Sequence, residues 1–303
     1  MEVGNISVLL PWIGVVIVSG LGMYFLSSEL TKNIWVRLTV AILYATTPYL
    51  YYVGIAQGDW KRSAFYAVFS WVTWAMLRLK QVFNIKNVLV AGTIVGACFY
   101  TDAVVACVAC CFGVLYLLLA RRFKELSAVA MGIVIGSPRL LVLLKYLVTG
   151  ESVAEEYSLA SIMHSGYTIG RFFASYYFVE HLPGLGIAFI GVVALLLWRY
   201  VLKERFPGKA GYRSLLFCVL LAAVCSLERF PWDVVQRVHV VFLRFVPLMK
   251  ELNIFVGLMN MGIAVLAVPV LEDIWTDEKD AIRYGTIGML CITAVGGMMY
   301  YFV

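Results

Sequence analysis

The chain has 303 residues, 62% of them hydrophobic and 14% charged, with a formal net charge of +6 and a mean hydropathy of +0.89. That is more apolar surface than a soluble core of this length hides, which excludes an ordinary soluble domain and points to a polytopic membrane protein. The cations sit in short loops and form no basic tract, which argues against a nucleic-acid partner, and the seven cysteines all lie in apolar runs, which argues against a disulfide framework.

Apolar runs near the ~20 residues that cross a bilayer recur along the chain without β-barrel alternation, so the expected fold is all-α, a single transmembrane bundle of about ten helices. The first run covers Ser7 to Leu26 and the second Ile34 to Ile55, joined by a turn with Lys32. A short loop from Gln57 to Arg62 then sets Asp59 beside Lys61 and Arg62, and a third run follows from Ser63 to Leu79. From Val88 to Ala120 the chain is apolar for 33 residues. As one helix this would be about 50 Å long against a hydrocarbon core near 30 Å, so it divides at its polar break, Tyr100-Thr101-Asp102. Asp102 is the expected N-cap of the second half.

The sixth run, Ser127 to Val148, contains Ser137-Pro138-Arg139, which predicts a kinked helix whose arginine turns toward protein or water. A polar stretch from Thr149 to Leu182 follows, with Glu151, Glu155, Glu156, His164, Arg171, Glu180 and His181. The seventh run, Gly184 to Leu202, leads into a basic loop with Arg199, Lys203, Arg205, Lys209 and Arg213, and the eighth runs from Ser214 to Leu227. Glu228 to Glu251 then mixes aromatics and cations as an interfacial or re-entrant helix does, with Pro231 in its first turn. Runs nine, Leu252 to Trp275, and ten, Thr286 to Val303, complete the chain.

The loops after runs one, three, five and seven carry most of the unpaired Lys and Arg, so they are expected on the cytoplasmic side of a cell membrane, with both termini outside. The loops at Asp59 and Asp102, the 149–182 stretch and the 228–251 segment then all face outward. Asp59, Lys61 and Arg62 suit an anionic group with a carboxylate as base, although a capped turn explains the same residues. Asp102 carries the same ambiguity. Arg237 and Arg244, seven apart, would share a helix face, with Arg229 and His239 close by in sequence, and cations among Phe230, Trp232, Phe242 and Phe245 suit a lipid phosphate; an anchor helix with snorkelling arginines is the alternative. Cys107, Cys110 and Cys111 imitate a metal motif but lie inside an apolar run, the histidines show no metal-ligand spacing, and any cofactor, a divalent ion included, stays open. Gly92 with Gly96 and Gly132 with Gly136 form pairs that permit close helix contact, and Asn5-Ile6-Ser7 is a glycosylation sequon.

The order of these features resembles the membrane glycosyltransferases of the GT-C architecture, and most of all the bacterial YfhO-like and PTPS-related multi-pass proteins. The resemblance rests on Thr47-Pro48-Tyr49 at the end of a helix, the Gly58-Asp59 loop, the hairpin split by Asp102 and the outer segment from Phe230 to Arg244. It implies transfer of a sugar from a polyprenyl-phosphate donor to a cell-envelope acceptor on the outer face, with Arg237 and Arg244 on the departing phosphate. It also implies a catalytic acid in a first outer loop that would lie upstream of Met1, supplied by a preceding segment or by a partner chain, unless the chain is a non-catalytic relative. Among the residues present, Asp59 and Asp102 are the short-loop carboxylates able to substitute, with Glu228 and Asp233 as further contributors. The rival functions are a lipid-linked-sugar flippase or transporter, with Arg139 buried on its path, and an accessory membrane subunit.

Overall fold

A computed structural model describes residues 6–149, 159–173, 185–202 and 210–299. The helices in chain order are α1 (Ile6–Ser28), α2 (Ile34–Ala45), α3 (Pro48–Tyr51), α4 (Trp60–Gln81), α5 (Ile85–Thr101), α6 (Ala103–Leu119), α7 (Leu126–Thr149), α8 (Leu159–His164), α9 (Ile169–Phe173), α10 (Gly186–Leu197), α11 (Ala210–Cys225), α12 (Trp232–Val238), α13 (Val240–Leu248), α14 (Ile254–Asp277) and α15 (Asp280–Met299). The described residues contain no strand, so the chain is an all-helical bundle.

Among the described residues four helical stretches are long and apolar enough to cross a membrane: Leu10–Ser28, Ile34–Ala56, Phe123–Thr149 and Ile254–Asp277. The expected ten is not reached by this measure. Ile85–Thr101, Ala103–Leu119, Gly186–Tyr200 and Gly211–Cys225 are apolar but shorter, because polar breaks such as Asp102 end them below the ~20 residues of a full crossing. Glu151, Glu155, Glu156, Glu180 and His181, the loop cations Lys203, Arg205 and Lys209, and the sequon residue Asn5 lie outside the described residues.

Local chemistry sets most of the boundaries. Asn33 caps α2 by accepting from the Trp35 and Val36 N–H groups, Asn84 caps α5, and Asp102, in extended geometry, caps α6 through Val104 at 3.1 Å and Val105 at 3.0 Å. In lipid the hydrophobic effect does not hold helices together, so close packing must. The two glycine pairs supply it by meeting each other. A Cβ on Gly96 would stand 2.6 Å from Ile135, and one on Gly132 would stand 2.4 Å from Val95, so α5 and α7 approach backbone to backbone. The principal partner of α5 is therefore α7, while α6 crosses to α11.

α14 is the axis of the bundle: from Ile254 to Leu271 every residue except Pro269 is buried. α7 continues as α-helix through Pro138, and Arg139 is exposed on its flank, which removes the buried arginine expected there. Arg199 departs from expectation in the opposite sense. It is fully buried in a π-helical turn, Trp198–Leu202, and faces Asp277 at 3.8 Å and Glu278 at 3.6 Å. The 228–251 segment is two short helices, α12 and α13, because His239 stops the first and caps the second, its Nδ1 accepting from the Val241 N–H at 3.2 Å.

Candidate functional site

The site forms where three chain segments meet at one end of the bundle. The second apolar run does not end as a plain helix. α2 stops at Ala45, Pro48 restarts the chain as α3, and a π-helical turn, Tyr52–Ala56, widens it. Gly58 then takes φ +68°, a left-handed conformation that glycine adopts without a Cβ clash, and the chain turns into α4. Asp59 caps that helix by accepting the Arg62 N–H at 3.1 Å. Lys250 at φ +63° makes a matching left-handed turn between α13 and Glu251.

These turns, with the break between α5 and α6 at Asp102, deliver three carboxylates to one guanidinium. Arg62 is 4% exposed, and its Nε lies 3.7 Å from Asp59 Oδ2 and 3.8 Å from Asp102 Oδ2, while its Nη1 lies 3.9 Å from Glu251 Oε2. None of the three is within hydrogen-bond distance. The guanidinium donates instead to Asn253 Oδ1 at 3.5 Å and to the Met249 carbonyl at 3.4 Å, and Nε has no hydrogen-bond partner. With all four groups ionised the cluster carries two negative charges in excess.

Amides and phenols surround it. Gln57 Nε2 donates to Glu251 Oε1 and reaches Tyr52 Oη at 3.3 Å, and Asn253 Nδ2 donates to Glu251 Oε2. Beneath them Tyr49 and Tyr66 meet edge to face, with Tyr66 Oη donating to the Ile254 carbonyl at 2.7 Å. Deeper still, Asn260 Nδ2 donates to Thr47 Oγ1 at 2.9 Å. Among the described residues no three His, Cys, Asp or Glu side chains are grouped to hold a metal ion; the carboxylates are arranged around Arg62 rather than around a common point.

The structure thus joins Asp59, Arg62 and Asp102. Lys61 is exposed beside them. Arg229, Arg237 and His239 are exposed on the 228–251 segment, where Glu228 and Asp233 are half-buried. The break at His239 puts Arg237 and Arg244 on different helices, so their seven-residue spacing does not make a shared face. Arg244 Nη1 donates to the Leu147 carbonyl at 2.8 Å and to that of Val148, at the C-terminus of α7, where a cation is favoured by the helix dipole. Sequence reasoning missed Gln57, Glu251 and Asn253. The available signal was an acid beside the start of a long apolar run, with Asn253 and Asn260 seven apart on one face of it. No protein-family model, curated protein or solved structure matches the chain.

Proposed function

We propose that this chain is a membrane-embedded transferase that moves a sugar from a polyprenyl-phosphate donor to a hydroxyl acceptor of the cell envelope. The supporting observation is the convergence on Arg62 of Asp59 from its own helix cap and of Asp102 and Glu251 from two distant segments, with more negative charge than the one cation balances when all are ionised. A carboxylate in such a cluster is suited to take the proton of an attacking hydroxyl. The acceptor oxygen would bond to the anomeric carbon as the bond to the donor phosphate breaks, and the phosphate would leave with that electron pair. Asp102 and Asp59, each partly exposed, are the candidate bases. Arg62 serves as a positioning residue because its charge is already engaged, and Lys61, Arg229 and Arg237, which are exposed, are the cations that would meet the phosphate. A GT-C-like arrangement in which the shorter helices complete about ten crossings, with the site facing outward and a partner chain adding a further loop, belongs to the same proposal.

Transfer of a labelled sugar from a polyprenyl-phosphate donor, measured in membranes containing Asp59→Asn or Asp102→Asn protein, tests it. The variant lacking the base should lose about 10²-fold or more in rate. Wild-type rates in both variants, each inserted and folded, would refute the reading.

A further inference from the structure

α7 carries a charge that neither the carboxylate cluster nor the packing uses. The helix lies in a stretch long and apolar enough to cross a membrane, Phe123–Thr149, and Arg139 sits well inside it, about 20 Å from Leu126 and about 15 Å from Thr149 at the α-helical rise. An arginine side chain is shorter than either distance, so the guanidinium reaches neither end of the helix. Contacts define the side it occupies. Gly132 and Gly136 meet Val95 and Phe99 of α5, and Arg139, two helical turns past Gly132, shares their side. α5 stops at Thr101, and the cover stops with it: Arg139 and Val142 are exposed, as is Tyr100 in the last turn of α5. Farther along α7 Tyr146 is buried again, and Arg244 of α13 reaches the Leu147 carbonyl. An opening is therefore left between the end of α5 and α13, with Arg139 in it.

The chain answers its buried arginines with acids: Arg62 with Asp102, Arg122 with Glu125 and Arg199 with Glu278. Among the described residues nothing answers Arg139, which makes no hydrogen bond, ion pair or ring contact. The described part of a second copy has no acid to offer, because its exposed carboxylates, Asp277 and Asp280, lie at helix ends rather than inside a span. An unpaired guanidinium in hydrocarbon is costly, and a carboxylate on a neighbouring helix removes that cost. We propose that this opening on α7 is the docking site of a transmembrane helix from a different protein, one that carries an Asp or Glu near its midpoint to pair with Arg139. The proposal does not depend on the transferase reading.

A model helix serves as the probe: a leucine-alanine peptide of about 20 residues, long enough to span, with one Glu at its centre. Its association with the purified protein in phosphatidylcholine bilayers is read by energy transfer from a dye on the protein to a dye on the peptide. The Glu peptide should associate about tenfold more tightly than its Gln counterpart, the scale of a polar contact between helices in lipid. Arg139→Leu should abolish that preference, and Arg139→Glu should transfer it to a peptide with a central Lys. Without peptide, Arg139→Leu should be no less stable than the parent in micelles, because no described residue engages the guanidinium. Equal binding of the Glu and Gln peptides, a preference that survives Arg139→Leu, or marked destabilisation by that substitution would each overturn the proposal. Loss of the preference in bilayers rich in phosphatidylglycerol would overturn it as well, by assigning Arg139 to a lipid phosphate.

Discussion

Two buried arginines occupy opposite ends of the bundle and are treated in opposite ways. Arg122 faces one carboxylate, Glu125, at hydrogen-bond distance, and its remaining donors reach the Met76 carbonyl and, at 3.4 Å, Tyr116 Oη, while the Tyr116 ring lies 5.9 Å from the guanidinium. The charges cancel and the donors are used. Arg62 faces three carboxylates, none within hydrogen-bond distance, and keeps an unpartnered Nε. A closed pair of the first kind has a structural role, whereas an open cluster with surplus charge holds unused binding capacity at a cost in stability.

The largest effect expected from this contrast is at the closed end. Arg122→Met leaves Glu125 buried and unpaired, and should destabilise the protein by about 3–5 kcal/mol in a denaturation titration in micelles. A smaller loss there would mean that the pair is not closed. The glycine contact between α5 and α7 holds Asp102 in place from outside the cluster. Gly132→Leu should cost about 1–3 kcal/mol or more through overpacking and lower activity along with stability. The smallest effect separates the two roles of Asp102: Asp102→Ala should cost about 1 kcal/mol by removing a helix cap, while Asp102→Asn should keep the cap and differ little in stability.

Local chemistry is legible in the sequence and long-range pairing is not. Asp102 reads as a cap because a cap involves residues two and three positions away, and the glycine pairs read as contact surfaces, though not as each other's partners. Glu251 escapes notice because two of its site partners, Gln57 and Arg62, lie far away in the chain and are joined to it by packing alone. The break at His239 is hidden by the apolar and cationic pattern, which continues on both sides of it as in one helix. Among the described residues four helical stretches are both long and apolar enough to cross, against ten apolar runs. A run in sequence does not show where a helix ends, and long helices such as α4 and α15 carry too many polar residues.

The contrast between the closed and the open arginine is tested most directly by the stabilities of Glu125→Gln and Glu251→Gln measured side by side. Glu125→Gln should lose about 3 kcal/mol or more, because it strips Arg122 of its carboxylate. Glu251→Gln should be as stable as the parent or more stable, because it relieves an excess of negative charge around Arg62. A loss in Glu251→Gln as large as that in Glu125→Gln would contradict the account and make the Arg62 cluster another structural pair.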